Sequence, residues 1–167
     1  MNLKPVKTNI INKIDTEAEE NAKKRKANNI CIFNVPESNN ESQEKRFQED
    51  VEKVKEILNK HVELKREDVI SFYRIGYAKH LPKPRPIVLK LSNYELKLTM
   101  LKLRNLKWKD KNIYINPDRT KKEQEEHKKL VLELHARRTE GEENIIIKNG
   151  KIITRIPFRP DPQMFWG

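Results

Sequence analysis

Between Asn29 and Asn116, short apolar runs and amphipathic stretches follow one another in an order that few architectures accept: strand, helix, strand, strand, helix, strand. Ile30-Cys31-Ile32-Phe33-Asn34-Val35, stopped by Pro36, reads as the first strand. Asn40 with Gln43 predicts a capping box. The helix it opens carries Phe47, Val51, Val54, Ile57 or Leu58, and Val62 on one face. Lys65 to Asp68 turns the chain into a second strand, Val69 to Ile75. Gly76 to Pro86 holds three prolines and is predicted to be an exposed loop. Ile87 to Leu91 is a third strand, and Ser92 with Glu95 predicts a second capping box. The helix that follows turns Leu96, Met100, Leu103 and Leu106 inward, and Ile113-Tyr114-Ile115 is a fourth strand ended by Asn116-Pro117. Two right-handed β-α-β crossovers of this kind interleave into an antiparallel four-stranded sheet with both helices on one face. The other face is expected to stay open.

The flanks read differently. Thr120-x-x-Glu123 caps a helix running towards Thr139, with Leu130, Val131 and Leu134 as its stripe and Gly141 as its C-cap. Asn149-Gly150, between Ile145-Ile146-Ile147-Lys148 and Lys151-Ile152-Ile153-Thr154, is a strong hairpin pattern. A tail with Phe158, Phe165 and Trp166 reads as an extended arm. At the other end, Leu3, Val6, Ile10, Ile11 and Ile14 recur at helical spacing, which suits either the tail of a coiled coil or a frayed, disordered arm. Lys23-Lys24-Arg25-Lys26 closes that arm and reads first as a solvated helix end, and second as a phosphate clamp or nuclear-import signal. The chain thus divides into an arm (1–27), the sheet domain (28–117), a helix-hairpin domain (118–157) and a tail (158–167).

Charge is distributed unevenly over these parts. From Arg74 to Lys122 there are fourteen Lys/Arg against three acids, a net +11, while residues 1–73 and 123–167 each balance to zero. Positive potential concentrated on one block of a folded module attracts a polyanion by counterion release and speeds its capture. Nothing in the sequence approaches the roughly 18 apolar residues of a membrane-spanning helix, and no secretory leader is expected. Cys31 is the only cysteine, which fits a reducing compartment and excludes an internal disulfide. His61, His80, His127 and His135 lack ligand spacing, so neither metal nor cofactor is expected. With four glycines, no phosphate loop, and no nucleophile–base order, an enzyme is the poorest class.

The α+β order is that of a ferredoxin-like fold and resembles the RNA-recognition motif, in which the open sheet face stacks single-stranded bases on aromatic rings. The resemblance is degenerate. Cys31 stands where the first strand should carry a ring, and Pro86 and Val88 stand at the third strand's two outward aromatic places. Phe33 and Tyr114 are the outward rings that alternation leaves. Binding by charge and shape, more than by reading bases, is therefore expected. A protein-docking sheet face is the alternative.

Taken together, the parts resemble the first-open-reading-frame protein of LINE-type (non-LTR) retrotransposons. The residues that carry this are Asn29 to Ser38, Arg85 to Leu91, Met100-Leu101, Ile113 to Thr120, and Gly141 to Asn144 before the hairpin. The resemblance implies a chaperone that coats the element's transcript, with single-stranded RNA and also DNA as partners. It implies a homotrimer through an N-terminal coiled coil, and a ribonucleoprotein in the cytoplasm that also reaches the nucleus. The contact candidates are Phe33, Arg74, Lys79, Lys83, Arg85, Lys90, Lys107, Lys109, Tyr114, Arg119, Lys148, Lys151 and Arg155. Lys97 and Lys102 are expected to point away from the strand, and Lys148, Lys151 and Arg155 to share a cleft with Arg74, Lys90 and Tyr114.

Overall fold

Along the strands, Ile30 and Ile32, Ile87, Leu89 and Leu91, and Ile113 and Ile115 alternate with neighbours that point the other way, so one sheet face is a continuous aliphatic layer. The structure, a computed structural model, describes residues 4–76, 82–155 and 162–165. It is an α+β protein with an antiparallel five-stranded sheet, and it divides into two compact units, Met1–Asp118 and Arg119–Gly167.

The first unit runs α1 (Lys4–Lys26), β1 (Asn29–Phe33), α2 (Gln43–Leu58), β2 (Val69–Arg74), β3 (Ile87–Leu91), α3 (Tyr94–Leu101), β4 (Asn105–Trp108) and β5 (Lys111–Pro117). Its strand order is β2-β3-β1-β5-β4, every neighbour antiparallel. Val54, Ile57 and Leu58 of α2 and Met100 of α3 close over the aliphatic layer, joined by Leu106 and Trp108. Burial of these side chains contributes about 1.5–3 kcal/mol each before conformational entropy is charged against it.

Several local expectations shift. The cap of α2 is Ser42, whose Oγ accepts from the Lys45 amide at 3.4 Å, and Asn40 instead shapes the preceding turn by accepting from the Ser42 amide at 3.0 Å. The cap of α3 is Asn93, accepting from the Leu96 amide at 2.7 Å, one residue past the predicted Ser92. Phe47 stays exposed and packs edge-on against Phe72, with ring centroids 5.5 Å apart. The sheet has a fifth strand, β4, where the sequence pattern predicts a helix end and a loop. Arg104, at φ 33°, breaks the helical path, and Lys109 and Asp110 (φ 46° and 63°) make a two-residue left-handed turn into β5. Leu106 is therefore a strand residue facing the core.

The outer sheet face is also less open than expected. Val88 and Cys31, directly opposed on β3 and β1, are 0% and 6% exposed although both point away from the aliphatic layer.

In the second unit, α4 (Lys121–Thr139) has both halves of its predicted capping box: the Glu123 amide donates to Thr120 Oγ1 at 3.1 Å and the Thr120 amide to Glu123 Oε1 at 3.4 Å. Gly141, at φ 102°, ends it with the Gly141 amide donating to the Arg138 carbonyl and the Glu142 amide to that of Arg137, a Schellman arrangement. β6 (Ile145–Lys148) and β7 (Lys151–Thr154) form the hairpin, with Asn149 and Gly150 both at positive φ (51° and 72°), as a type I′ turn requires. Arg138 Nη2 donates to the Ile145 carbonyl at 2.8 Å and ties helix to hairpin. The tail residues Phe158 and Trp166 lie outside the described residues.

Candidate nucleic-acid interface

Strand parity decides which cations can meet a ligand. On β2, Phe72 opposes Leu89 and Arg74 opposes Ile87, both inward positions, so Arg74 points to the helix side of the sheet. There its guanidinium forms a fork with Asp50 of α2, Nε to Oδ2 and Nη2 to Oδ1, both at 2.8 Å. Nη1 donates to the carbonyls of Arg85 (2.7 Å) and Val35 (3.1 Å), and Nη2 also to that of Pro36 (3.1 Å). The two side chains are 7% and 10% exposed. Arg74 is therefore an internal bolt joining β2, α2, the segment after β1 and the segment before β3. Its guanidinium is fully engaged inside the unit and offers nothing to a nucleic acid or to a cleft on the outer face.

Arg85 is likewise committed. Its Nε donates to Glu37 Oε1 at 2.7 Å, its own amide to Glu37 Oε2 at 3.2 Å, and Nη1 to the Gly76 carbonyl at 2.9 Å. These bonds staple the base of the loop between β2 and β3. Burial raises the Glu37 carboxyl, but the Arg85 hydrogen bonds and charge, with a contribution from Arg74, outweigh it and hold the group below the ordinary carboxylate value of 4.5. A depressed folded-state value means the staple stabilises above the unfolded-state titration and is lost as pH falls through the folded one. In a carboxyl-carbon NMR titration Glu37 should titrate below the ordinary carboxylate value. In Arg85→Ala, which removes the guanidinium but keeps the residue-85 amide, it should move upward. An unchanged titration would mean that Arg85 does not set it.

Lys83 is exposed at the end of this loop, and Lys79 lies outside the described residues. Lys97, on α3, is buried, with Nζ donating to the Ala27 carbonyl at 2.6 Å and lying 5.9 Å from the Tyr94 ring centroid. Lys102 is exposed.

The outward positions that remain fall into two groups on either side of the buried Val88–Cys31 pair. Lys90 is exposed on β3 between Ser71 and Asn29. Lys107 is exposed on β4 opposite Asn112, and Lys109 occupies the β4–β5 turn with Nζ 4.8 Å from the Trp108 ring centroid. Tyr114, between buried Ile113 and Ile115, points outward at 42% exposure and directly opposes half-buried Phe33. Tyr73, exposed and opposite Val88, is an outward ring that reading β2 by alternation would have found. Asn105, exposed and opposite Tyr114, was missed with its strand.

In the second unit, Arg119 is half-buried just before α4, where its carbonyl accepts from Gln124 Nε2 at 3.1 Å. Its charge adds to burial in holding the His127 imidazole below its ordinary value. Lys148 and Lys151 are exposed and directly opposed beside the hairpin turn, on the same face as Ile146 and Ile153. Like charges placed directly opposite each other repel. Arg155 follows β7, exposed, with its amide donating to the Asn144 carbonyl.

Among the described residues, no group of three or more His, Cys, Asp and Glu could hold a metal ion, and no helix is long and apolar enough to cross a membrane. No protein-family model matches the chain, and no curated protein matches it.

Proposed function

We propose that the chain binds single-stranded nucleic acid, RNA foremost, along the outer face of its five-stranded sheet. The observation that carries this reading is the coincidence of two features on that face. Lys90 and Lys107 come from the block that holds the whole net charge, and Tyr114 with Phe33 supplies rings in the row next to Lys107, while Lys109 adds charge at the β4–β5 turn. Lysines track phosphates while rings accept base planes, a combination that binds single strands with little regard to sequence. Lys148, Lys151 and Arg155 offer a second cationic surface on the hairpin.

The strand order β2-β3-β1-β5, with two helices over one face, supports reading the first unit as a ferredoxin-like, RNA-recognition-type domain to which β4 adds an edge. The same order of parts supports the wider reading as a LINE-type first-open-reading-frame protein that coats its transcript and acts as a nucleic-acid chaperone. On that reading α1, with Ile10, Ile11 and Ile14 exposed, is the end of a trimeric coiled coil.

Filter binding of single- and double-stranded RNA and DNA across a salt series tests the proposal. With five or six phosphate contacts, the log-log slope on single strands should be roughly −4, at about −0.7 per contact. A slope near zero, or no binding at low salt, removes the nucleic-acid reading and leaves protein docking. A chain ending at Asp118 should bind at least about tenfold more weakly, roughly 1.4 kcal/mol, if both units hold the strand together. Equal affinity would remove Lys148, Lys151 and Arg155 from the interface.

A further inference from the structure

We propose that the row Phe33–Tyr114–Asn105 is a base-reading subsite that favours adenine in single strands, an inference that rests on the nucleic-acid reading above. Two transverse rows of the outer face compete for a base. The first is Tyr73–Val88–Cys31–Asn116. Its two central members have no ring and expose almost nothing, so a base has no platform at the middle of the sheet. The second row lies one step further along β1. There Phe33 directly opposes Tyr114, and Tyr114 directly opposes Asn105.

Directly opposed side chains in an antiparallel pair have Cβ atoms about 4.5–5.5 Å apart, so a base lying on the Tyr114 ring overlaps the space above both neighbours. On one side it meets the half-buried Phe33 ring, and on the other the exposed Asn105 amide. Tyr114 and Phe33 make no ring pair with each other; the ring pair among the described residues is Phe47 with Phe72. Tyr114 is thus the accessible plane, with an apolar wall beside it.

The row is also held in place. Asn34, in the left-handed region at φ 75°, donates from Nδ2 to the Asn112 carbonyl at 2.8 Å, tying the exit of β1 to the start of β5. Lys107 and Asn112 form the next outward pair on β4 and β5, which puts an ammonium beside the platform for the adjoining phosphate.

Asn105 sets the preference. A carboxamide presents one donor and one acceptor side by side, the complement of the adenine N6 amine and N7, whereas a cationic side chain favours the two acceptors of guanine. The Asn105 side chain makes no hydrogen bond among the described residues, so its amide is available without breaking an internal contact. The sheet owes this amide to β4.

The test is fluorescence anisotropy of the full chain with labelled ten-nucleotide rA, rC and rU strands, which carry equal charge. Wild-type protein should bind rA roughly tenfold more tightly than rC or rU. Asn105→Ala should remove that preference, with the largest loss on rA. Tyr114→Leu should weaken all three by about tenfold, the loss of one stacked base, and Tyr114→Phe should restore them. The three positions lie on the outer face, and Trp108 emission checks that each variant is folded. If wild type binds the three strands equally, or the adenine preference survives Asn105→Ala, or Tyr114→Leu binds as wild type does, the subsite is wrong while nucleic-acid binding stands. If no strand binds at low salt, both readings fall together.

Discussion

Replacing Arg74 with leucine should destabilise the first unit by about 3–5 kcal/mol, a large share of the 5–15 kcal/mol that holds a typical domain together. The cost is not that of one lost contact. The variant leaves the Asp50 carboxylate buried without its fork and strips a donor from the carbonyls of Val35, Pro36 and Arg85. An uncompensated buried charge is the most expensive of these losses. Urea unfolding followed by Trp108 emission would measure the effect, since that indole lies in the core of the same unit. Arg74→Leu combined with Asp50→Leu should recover much of the loss, because the unpaired carboxylate goes with it. A midpoint within error of wild type for the single variant would mean that the bolt contributes nothing net.

Reversing Lys90 and Lys107 together to glutamate should weaken single-strand binding by roughly 100-fold at low salt, about 1.4 kcal/mol for each position, and flatten the salt slope by about 0.7 for each lost phosphate contact. Both are exposed strand residues on the outer face and carry no structural bond among the described residues, so the fold should be unaffected. The proper control is Lys55 with Lys102, exposed on the helix side. Lys97 cannot serve, because its ammonium holds the Ala27 carbonyl. Arg85 cannot serve in the test set, because glutamate there would face Glu37 and open the loop base. Equal losses from the two pairs would point to a diffuse field without a defined track.

Elements with strong local patterns were legible in the sequence. The aliphatic run of β3, the Thr120–Glu123 box and the Asn149–Gly150 turn are each specified by neighbours in the chain, and all three occur. What escaped depends on partners far away in sequence. The edge strand β4 does alternate, with Leu106 and Trp108 in and Asn105 and Lys107 out. It was hidden because Leu106 also continues the helical spacing from Leu103, and because Lys109-Asp110 turns left-handed without glycine or asparagine. The fate of Arg74 could have been read from Phe72, two residues earlier on the same face, but Asp50 as its partner could not. Charge identity alone did not separate bolts from contacts. Arg74, Arg85 and Lys97 belong to the basic block by composition and to the scaffold by position.

The stapled base of the β2–β3 loop has a consequence for how this protein can change. Gly76 and Arg85 are joined by Arg85 Nη1, and the Ile75 amide donates to the Pro86 carbonyl at 2.9 Å, so both ends of the excursion are fixed before it begins. Strand register is then independent of how many residues lie between them. Lengthening a loop with fixed ends costs only about 0.6 kcal/mol for each doubling. This position is therefore the natural port for insertion, where a tag, a fluorophore-bearing peptide or a longer basic segment can be added while the sheet keeps its alignment.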